Sequence, residues 1–381
     1  MNQKKDHLKN SVENATRFTR SVFDNITGSE LPTELRRDLK ESYQFFLDDT
    51  ERDHLAELGR IKKSFFAIWY LSKNLILKLT PVRRIIVLIG SVVAFGGMPD
   101  ETDEVLFGFL LVLFVLGLEL KDKLTAHGEL EAGRAVQLAI MPDTTPVLNG
   151  WEIWMYSKPA NEVGGDLIDH MSLTETTLAL TLGDIAGKGL PAALMAAKIQ
   201  ATLRAIAPDY PDLSARGERL NSIVIRDGMP QKFASMIHLQ LAANEGEVSV
   251  INAGHHPPIQ VQKDQISEWG KGGPAIGLSK SSTYPLETRS LELNDLLVLY
   301  SDGITEARNE MGRFYSEERF KDLLQYTHGM DAVALGTRIL RSVEDFVQNA
   351  RQSDDVSMIV IRRVGKLGIN SLPSISGKHQ V

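Results

Sequence analysis

The stretch LLVLYSDGITEARNE, Leu296–Glu310, decides the fold. Its first five residues, Leu296–Tyr300, are a continuous apolar run and read as a buried strand. The run stops at Ser301-Asp302-Gly303, so a carboxylate stands where the strand surfaces, with glycine directly behind it. An Asp-Gly pair after a strand is ordinarily a turn. Here a related signature recurs in EVGGDLID (Asp166, Asp169), LTLGDIAGKGLPAA (Asp184) and SDDVSMIVI (Asp354, Asp355). Asp184 and Asp302 follow predicted strands, whereas Asp354 and Asp355 precede one. In an antiparallel sheet the end of one strand lies beside the start of its neighbour, so these acids are expected to converge on one rim.

The surrounding pattern supports that geometry. Thr176–Leu182 and Val356–Arg363 read as strands. Phe233–Gly254 reads as two strands joined by a polar turn at 244–246. Helical periodicity covers Pro191–Ala207, Leu213–Asp227, Ser316–Tyr326 and Asp331–Asn349. Hairpin strands with segregated helices give an α+β class rather than a doubly wound one. Trp151 and Trp154, where the strand-rich texture begins, are expected in the core.

The chain has 381 residues and a net charge of -7. An acidic balance without a basic patch argues against a nucleic-acid partner. There is no cysteine, which removes disulfides, thiolate metal sites and a thiol nucleophile. The N-terminus, MNQKKDHLKNSVENATR, has no apolar core of the kind a secretory signal needs.

Ahead of the strand-rich region the chain divides by texture. Residues 1–80 read as a polar, amphipathic helical region. Residues 81–120 carry two uncharged apolar runs, IIVLIGSVVAFGGM (Ile85–Met98) and VLFGFLLVLFVLGL (Val105–Leu118), separated by an acidic turn. Arg83 and Arg84 precede the first run, and Lys121 and Lys123 follow the second. This predicts a transmembrane helical hairpin with both ends facing the cytoplasm, although each run is shorter than the ~20 residues of a full span. The expected location is the inner face of the cytoplasmic membrane, with the cytoplasm as the alternative. Residues 121–148 form a connector helix ended by Pro142, whose broken apolar seam is suited to pairing with a second copy in a homodimer. A globular domain is expected over 149–364, and an unstructured tail over 365–381.

Converging carboxylates repel one another unless positive charge lies among them. Oxygen-only donors suit Mn²⁺ or Mg²⁺. Two such ions ~4 Å apart hold and acidify a water aimed at phosphorus.

The motifs EVGGD, GDIAGKGLPAAL, NAGHHPP, SDGITEARN and DDVSMIVI, in this order, resemble those of the SpoIIE/RsbU-like branch of the PPM serine/threonine phosphatases. The likeness covers about 129–364. It implies an α-β-β-α sandwich of two antiparallel sheets and a two-metal centre that hydrolyses phosphoserine or phosphothreonine directly. Carried over by motif, Asp166 and Asp184 bind or bridge the ions and the Ile185 carbonyl binds beside Asp184. Asp302 binds one ion, and one of Asp354 and Asp355 completes the set. The implied substrate is a phosphorylated regulatory protein, typically an anti-sigma-factor antagonist.

Other readings compete at single positions. GDIAGKG fails as a phosphate loop: only three residues precede Gly-Lys and no hydroxyl follows. Lys188 is then either a phosphate contact or a solvated lysine. Tyr300 stands where a haloacid-dehalogenase nucleophile would be needed, so that chemistry is set aside. His255 and His256 could bind a metal or a phosphate, but the reading preferred is a turn before two prolines, and Asp169 is assigned to a supporting role. Against the enzyme stand two alternatives: a PPM-fold signalling module without turnover, and a membrane interaction module that binds a divalent ion. The intact acidic motifs favour the enzyme.

Overall fold

All of Leu296–Tyr300 is buried because both faces of this strand are covered. Leu297 and Leu299 join the layer between two sheets, while Leu296, Val298 and Tyr300 meet helices on the other side. The computed structural model in which this is seen describes residues 47–96, 102–142, 145–227, 232–263 and 265–365. Most of the expected helical region before residue 47, and the expected tail from 366 onward, lie outside the described residues. The chain divides into two units, 1–124 and 125–381.

Among the described residues of the second unit, ten strands form two antiparallel sheets. The strands are β1 (Trp151–Lys158), β2 (Leu167–Ser172), β3 (Thr177–Ile185), β4 (Ala234–Ala242), β5 (Glu247–Ala253), β6 (Ile259–Val261), β7 (Ile266–Glu268), β8 (Glu287–Ser290), β9 (Leu296–Tyr300) and β10 (Val356–Arg363). One sheet runs β1-β10-β9-β6-β7, the other β2-β3-β4-β5-β8. Alternate residues of β3, β4, β9 and β10 fill the space between them, among them Leu180, Leu239, Leu299 and Ile359. Trp151 is buried in this layer and donates its indole N–H to the Ala242 carbonyl at 2.8 Å.

Helices cover the outer faces. Those after the first unit are α5 (Leu190–Ile206), α6 (Leu213–Arg226), α7 (Asp302–Thr305), α8 (Glu317–Leu324) and α9 (Ala332–Val347). Ile199, Leu203, Leu220 and Val224 of α5 and α6 pack on β4 and β5. Phe320, Leu335 and Ile339 of α8 and α9 pack on β9 and β10. Trp154 lies on this second face, half-buried, against α9. Asp212, Ser316 and Asp331 cap α6, α8 and α9 by accepting N–H groups of the first turn. The resulting α-β-β-α sandwich is the expected class.

The described residues of the first unit are helical: α1 (Asp49–Glu57), α2 (Arg60–Lys78), α3 (Pro81–Gly96) and the start of α4 (Thr102–Ile140). Arg83 ties α3 to α4 through Glu119 at 2.7 Å and Asp122 at 2.6 Å. The two helices approach at Gly90 and Gly108, where a Cβ on Gly90 would lie 3.0 Å from the Gly108 carbonyl. Ile85, Val92, Phe107 and Phe114 are each more than half exposed.

Two expectations are corrected here. No helix among the described residues is long and apolar enough to cross a membrane, so the transmembrane hairpin over 81–120 is not supported. The 16 residues of α3 span only about 24 Å, against a hydrocarbon core of about 30 Å. Nor is there a separate connector helix from 121: the second apolar run and the connector form one helix of 39 residues. The junction Glu119-Leu120-Lys121-Asp122-Lys123 contains no proline or glycine to stop it.

Candidate active site

Strand register brings the acidic motifs together in two pairs, Asp166 with Asp184 in one sheet and Asp302 with the start of β10 in the other, and Asp355 joins the pairs through the Gly165 and Asp166 N–H groups. Leu167 pairs with Gly183 across β2 and β3, so Asp166 and Asp184 stand one step further along the same pair of strands. Met358 pairs with Tyr300 across β10 and β9. The ladder continues beyond them: Ser301 donates its N–H to the Ser357 carbonyl at 2.9 Å, and Ser357 donates its N–H to the Ser301 hydroxyl at 2.9 Å. Asp302 therefore leaves β9 beside the start of β10, directly after Asp354 and Asp355. A side chain on Gly303 would overlap the Asp355 carbonyl oxygen, which explains the glycine behind Asp302.

The two neighbouring aspartates of the last motif have different surroundings. Asp355 is buried, and its oxygens are taken by backbone donors. Oδ1 accepts the Ala160 N–H at 2.7 Å, and Oδ2 accepts those of Gly165 at 2.6 Å and Asp166 at 3.3 Å. Asp354 is more open: its Oδ2 faces the Lys188 ammonium at 2.9 Å.

Charge crowding marks the remaining carboxylates. Burial, reinforced by Asp302, Asp354 and Asp355, pushes Asp184 up to about 7. Burial, with Asp354 and Glu306, raises Asp302. Asp166 lies well above the ordinary carboxylate range, chiefly through burial, with Asp184 and Asp355 adding to it. These are the shifts expected where acidic groups share a poorly solvated space.

Among the described residues, no three His, Asp or Glu side chains already stand in an arrangement that would hold a metal ion. The fit to a hard divalent cation rests on donor chemistry. Oδ2 of Asp166 is buried without a hydrogen-bond partner, a costly state that a cation relieves. The Ile185 carbonyl oxygen faces Gly165, 3.3 Å from where a Cβ would stand, leaving a carbonyl donor beside the two acids. Every candidate donor is oxygen, as Mn²⁺ and Mg²⁺ prefer.

Asp169 does not join this group. It is buried on β2 and clasped by Arg204 of α5 at 2.6 and 3.0 Å, in the supporting role expected of it. His255 is an internal bolt, with Nδ1 2.8 Å from the Ser235 hydroxyl and Nε2 3.1 Å from the Tyr300 carbonyl. Burial drives it down to about 3, so it is neutral. His256 lines the cleft onto which Asp184 and Asp302 open.

Sequence reading missed Gln137. This buried residue of α4 donates its amide to the Gly164 carbonyl at 2.8 Å and accepts the Gly164 N–H at 3.1 Å, two residues before Asp166. A glutamine in a mixed helical segment carries no signal of such a contact.

Residues 174–364, half of the chain, match the family of Stage II sporulation protein E (SpoIIE). The chain belongs to the SpoIIE family. Among curated relatives, the phosphoserine phosphatase RsbU of Bacillus subtilis is 25% identical over 278 residues, which cover 71% of this chain and 82% of RsbU. Protein IcfG of Synechocystis sp. is 25% identical over 277 residues, 65% of this chain but only 43% of IcfG. Of solved structures, the SiaA-PP2C domain of Pseudomonas aeruginosa superposes with a TM-score of 0.57 at 18% identity, covering 63% of this chain and 98% of that domain. The phosphatase domain of SpoIIE from Bacillus subtilis, solved with a fragment of its regulatory domain, gives 0.51 at 17% identity, covering 58% and 64%. The structural likenesses establish the fold. With the family assignment, they make the second unit of this SpoIIE-family chain a PPM-type serine/threonine phosphatase domain.

Proposed function

We propose that this chain hydrolyses phosphoserine or phosphothreonine on a phosphorylated regulatory protein, such as an anti-sigma-factor antagonist. The observation that carries the reading is the approach of Asp166 and Asp184 from one sheet to Asp302 and Asp354 from the other, with a buried, unpartnered oxygen on Asp166. Asp166, Asp184, the Ile185 carbonyl, Asp302 and Asp354 would hold two divalent ions, Mn²⁺ or Mg²⁺. What the ions supply when bound is positive charge against the phosphate and an acidified water. Asp355 keeps the 163–166 turn in place and is a positioning residue, since its oxygens are occupied by N–H donors. The Ser301–Ser357 exchange holds the amino side of Asp302 against β10. The absence of cysteine leaves no thiol route through a phosphoenzyme. The test is phosphate release by the full chain from a phosphoserine protein, with Mn²⁺, Mg²⁺ or chelator. Turnover that needs the ion and disappears in Asp302→Asn supports the reading. Turnover that survives in Asp302→Asn overturns the site.

A second reading concerns location. We propose that the α3–α4 pair contacts a lipid bilayer at the cytoplasmic face. Small residues at the helix contact with large apolar side chains outward is the packing helices adopt in lipid, and Gly90, Gly108, Val92 and Phe114 follow it. Full chain that stays in the supernatant with sedimented anionic vesicles at physiological salt would sink this proposal.

A further inference from the structure

Asp184 and Asp302 open onto a cleft of about 610 Å³. Sites of this size enclose a drug-sized molecule, so the cleft has room for residues beside a phosphoserine as well as the phosphate. Two loops complete it, 254–257 and 271–273. Both are fixed by Asn252, a buried residue of β5. Its Oδ1 accepts the His255 N–H at 2.8 Å, and its Nδ2 donates to the carbonyls of His255 at 3.1 Å and Gly270 at 3.3 Å. Its own carbonyl accepts the Gly273 N–H at 2.8 Å. The cleft walls are therefore preformed rather than assembled by the substrate.

The charges along this cleft are unequally committed. Lys321 is held by Glu268 at 2.7 Å and Glu317 at 3.3 Å. His256 lies 3.7 Å from Glu317. Lys271 is the one lining cation without an acidic partner among the described residues. It stands on the 271–273 loop, a wall of the cleft that neither acid belongs to.

We propose that Lys271 is a specificity residue: it receives a carboxylate of the substrate polypeptide next to the phosphoserine, so acidic neighbours are preferred. The inference rests on the phosphatase reading above. An exposed pair of this kind is worth up to about 1 kcal/mol, so losing it shifts relative kcat/KM by up to about fivefold.

The experiment measures kcat and KM of the full chain with Mn²⁺ on three substrates: p-nitrophenyl phosphate, a phosphoserine peptide with glutamates beside the phosphoserine, and the same peptide with lysines there. Wild type is expected to favour the glutamate peptide through KM. Lys271→Glu is expected to reverse that order, and Lys271→Gln to abolish it. An unchanged preference in both variants overturns the proposal. So does an equal loss on all three substrates, which would make Lys271 a contact of the phosphate itself. Wild-type chain inert on all three overturns the phosphatase reading, and this inference with it.

Discussion

Asp355 Oδ2 accepts the Gly165 N–H at 2.6 Å, across 190 residues of sequence. The bond ties the turn carrying Asp166 to the start of β10, and it separates two aspartates that are adjacent in the chain. Asp355→Asn places an N–H₂ where N–H donors now point. Leaving a buried donor unmet costs about 1–3 kcal/mol, so urea unfolding should show a loss of that order. Asp354→Asn removes only a half-exposed pair with Lys188 and relieves crowding around Asp302. It should leave stability within about 1 kcal/mol and lower phosphate release by more than ~100-fold, beyond the loss of an outer-shell partner. Equal effects of the two changes on both readouts would overturn this division.

Gly303→Ala should be among the most damaging single substitutions in the domain. The added methyl overlaps the Asp355 carbonyl, so β9 and β10 must part where Asp302 and Asp354 meet. Steric overpacking of this kind costs about 1–3 kcal/mol. The expected result is a lower unfolding midpoint together with lost turnover. A variant with wild-type activity and midpoint would refute the packing described.

Stability should depend on pH through groups that act in opposite directions. His238 and His255 are buried and driven down to about 3. Below pH 6.5 the unfolded chain binds a proton at each ring that the folded chain refuses, so stability falls on acidification by about 1.4 kcal/mol per pH unit and per ring. Asp184, pushed up to about 7, has the reverse sign. Its contribution is complete below the ordinary aspartate value and is lost as pH rises towards 7. In chelator the Asp184 trend offsets about half of the histidine trend between pH 4 and 6.5. Asp184→Asn should therefore make the acid loss of stability steeper, by about 1.4 kcal/mol per pH unit. Urea unfolding at pH 4.5, 5.5 and 6.5 measures it, and parallel curves for wild type and variant would contradict the assignment.

Gln137→Leu should reduce turnover without touching any candidate ligand. It leaves both backbone groups of Gly164 without their partner in a buried place, close to Asp166. The expected signature is a higher Mn²⁺ concentration for half-maximal phosphate release. An unchanged metal requirement would show that the Asp166 turn is held in place without the glutamine.

Much of this could be read from the sequence where one residue pattern has one physical outcome. A strand covered on both faces must be apolar throughout, and Leu296–Tyr300 is. Helices with alternating burial, such as Leu213–Arg226 and Ala332–Val347, were legible from their spacing. The short strands Ile259–Val261, Ile266–Glu268 and Glu287–Ser290 were not, because three or four residues cannot display a period. The acidic motifs announced the site, yet Asp354 and Asp355 looked alike until their partners were known. The hairpin expectation over-read apolar composition: one helix is too short to span, and in the 39-residue helix the uncharged stretch between Glu104 and Glu119 is too short.

Lys188 donates to the Asp354 carboxylate at 2.9 Å and to the Ser353 carbonyl at 2.9 Å. On the proposed reading, one ligand of the site already carries a tethered cation. An ion at that carboxylate would compete with the lysine for it, so on that reading Lys188 would help set the ion concentration at which phosphate release begins.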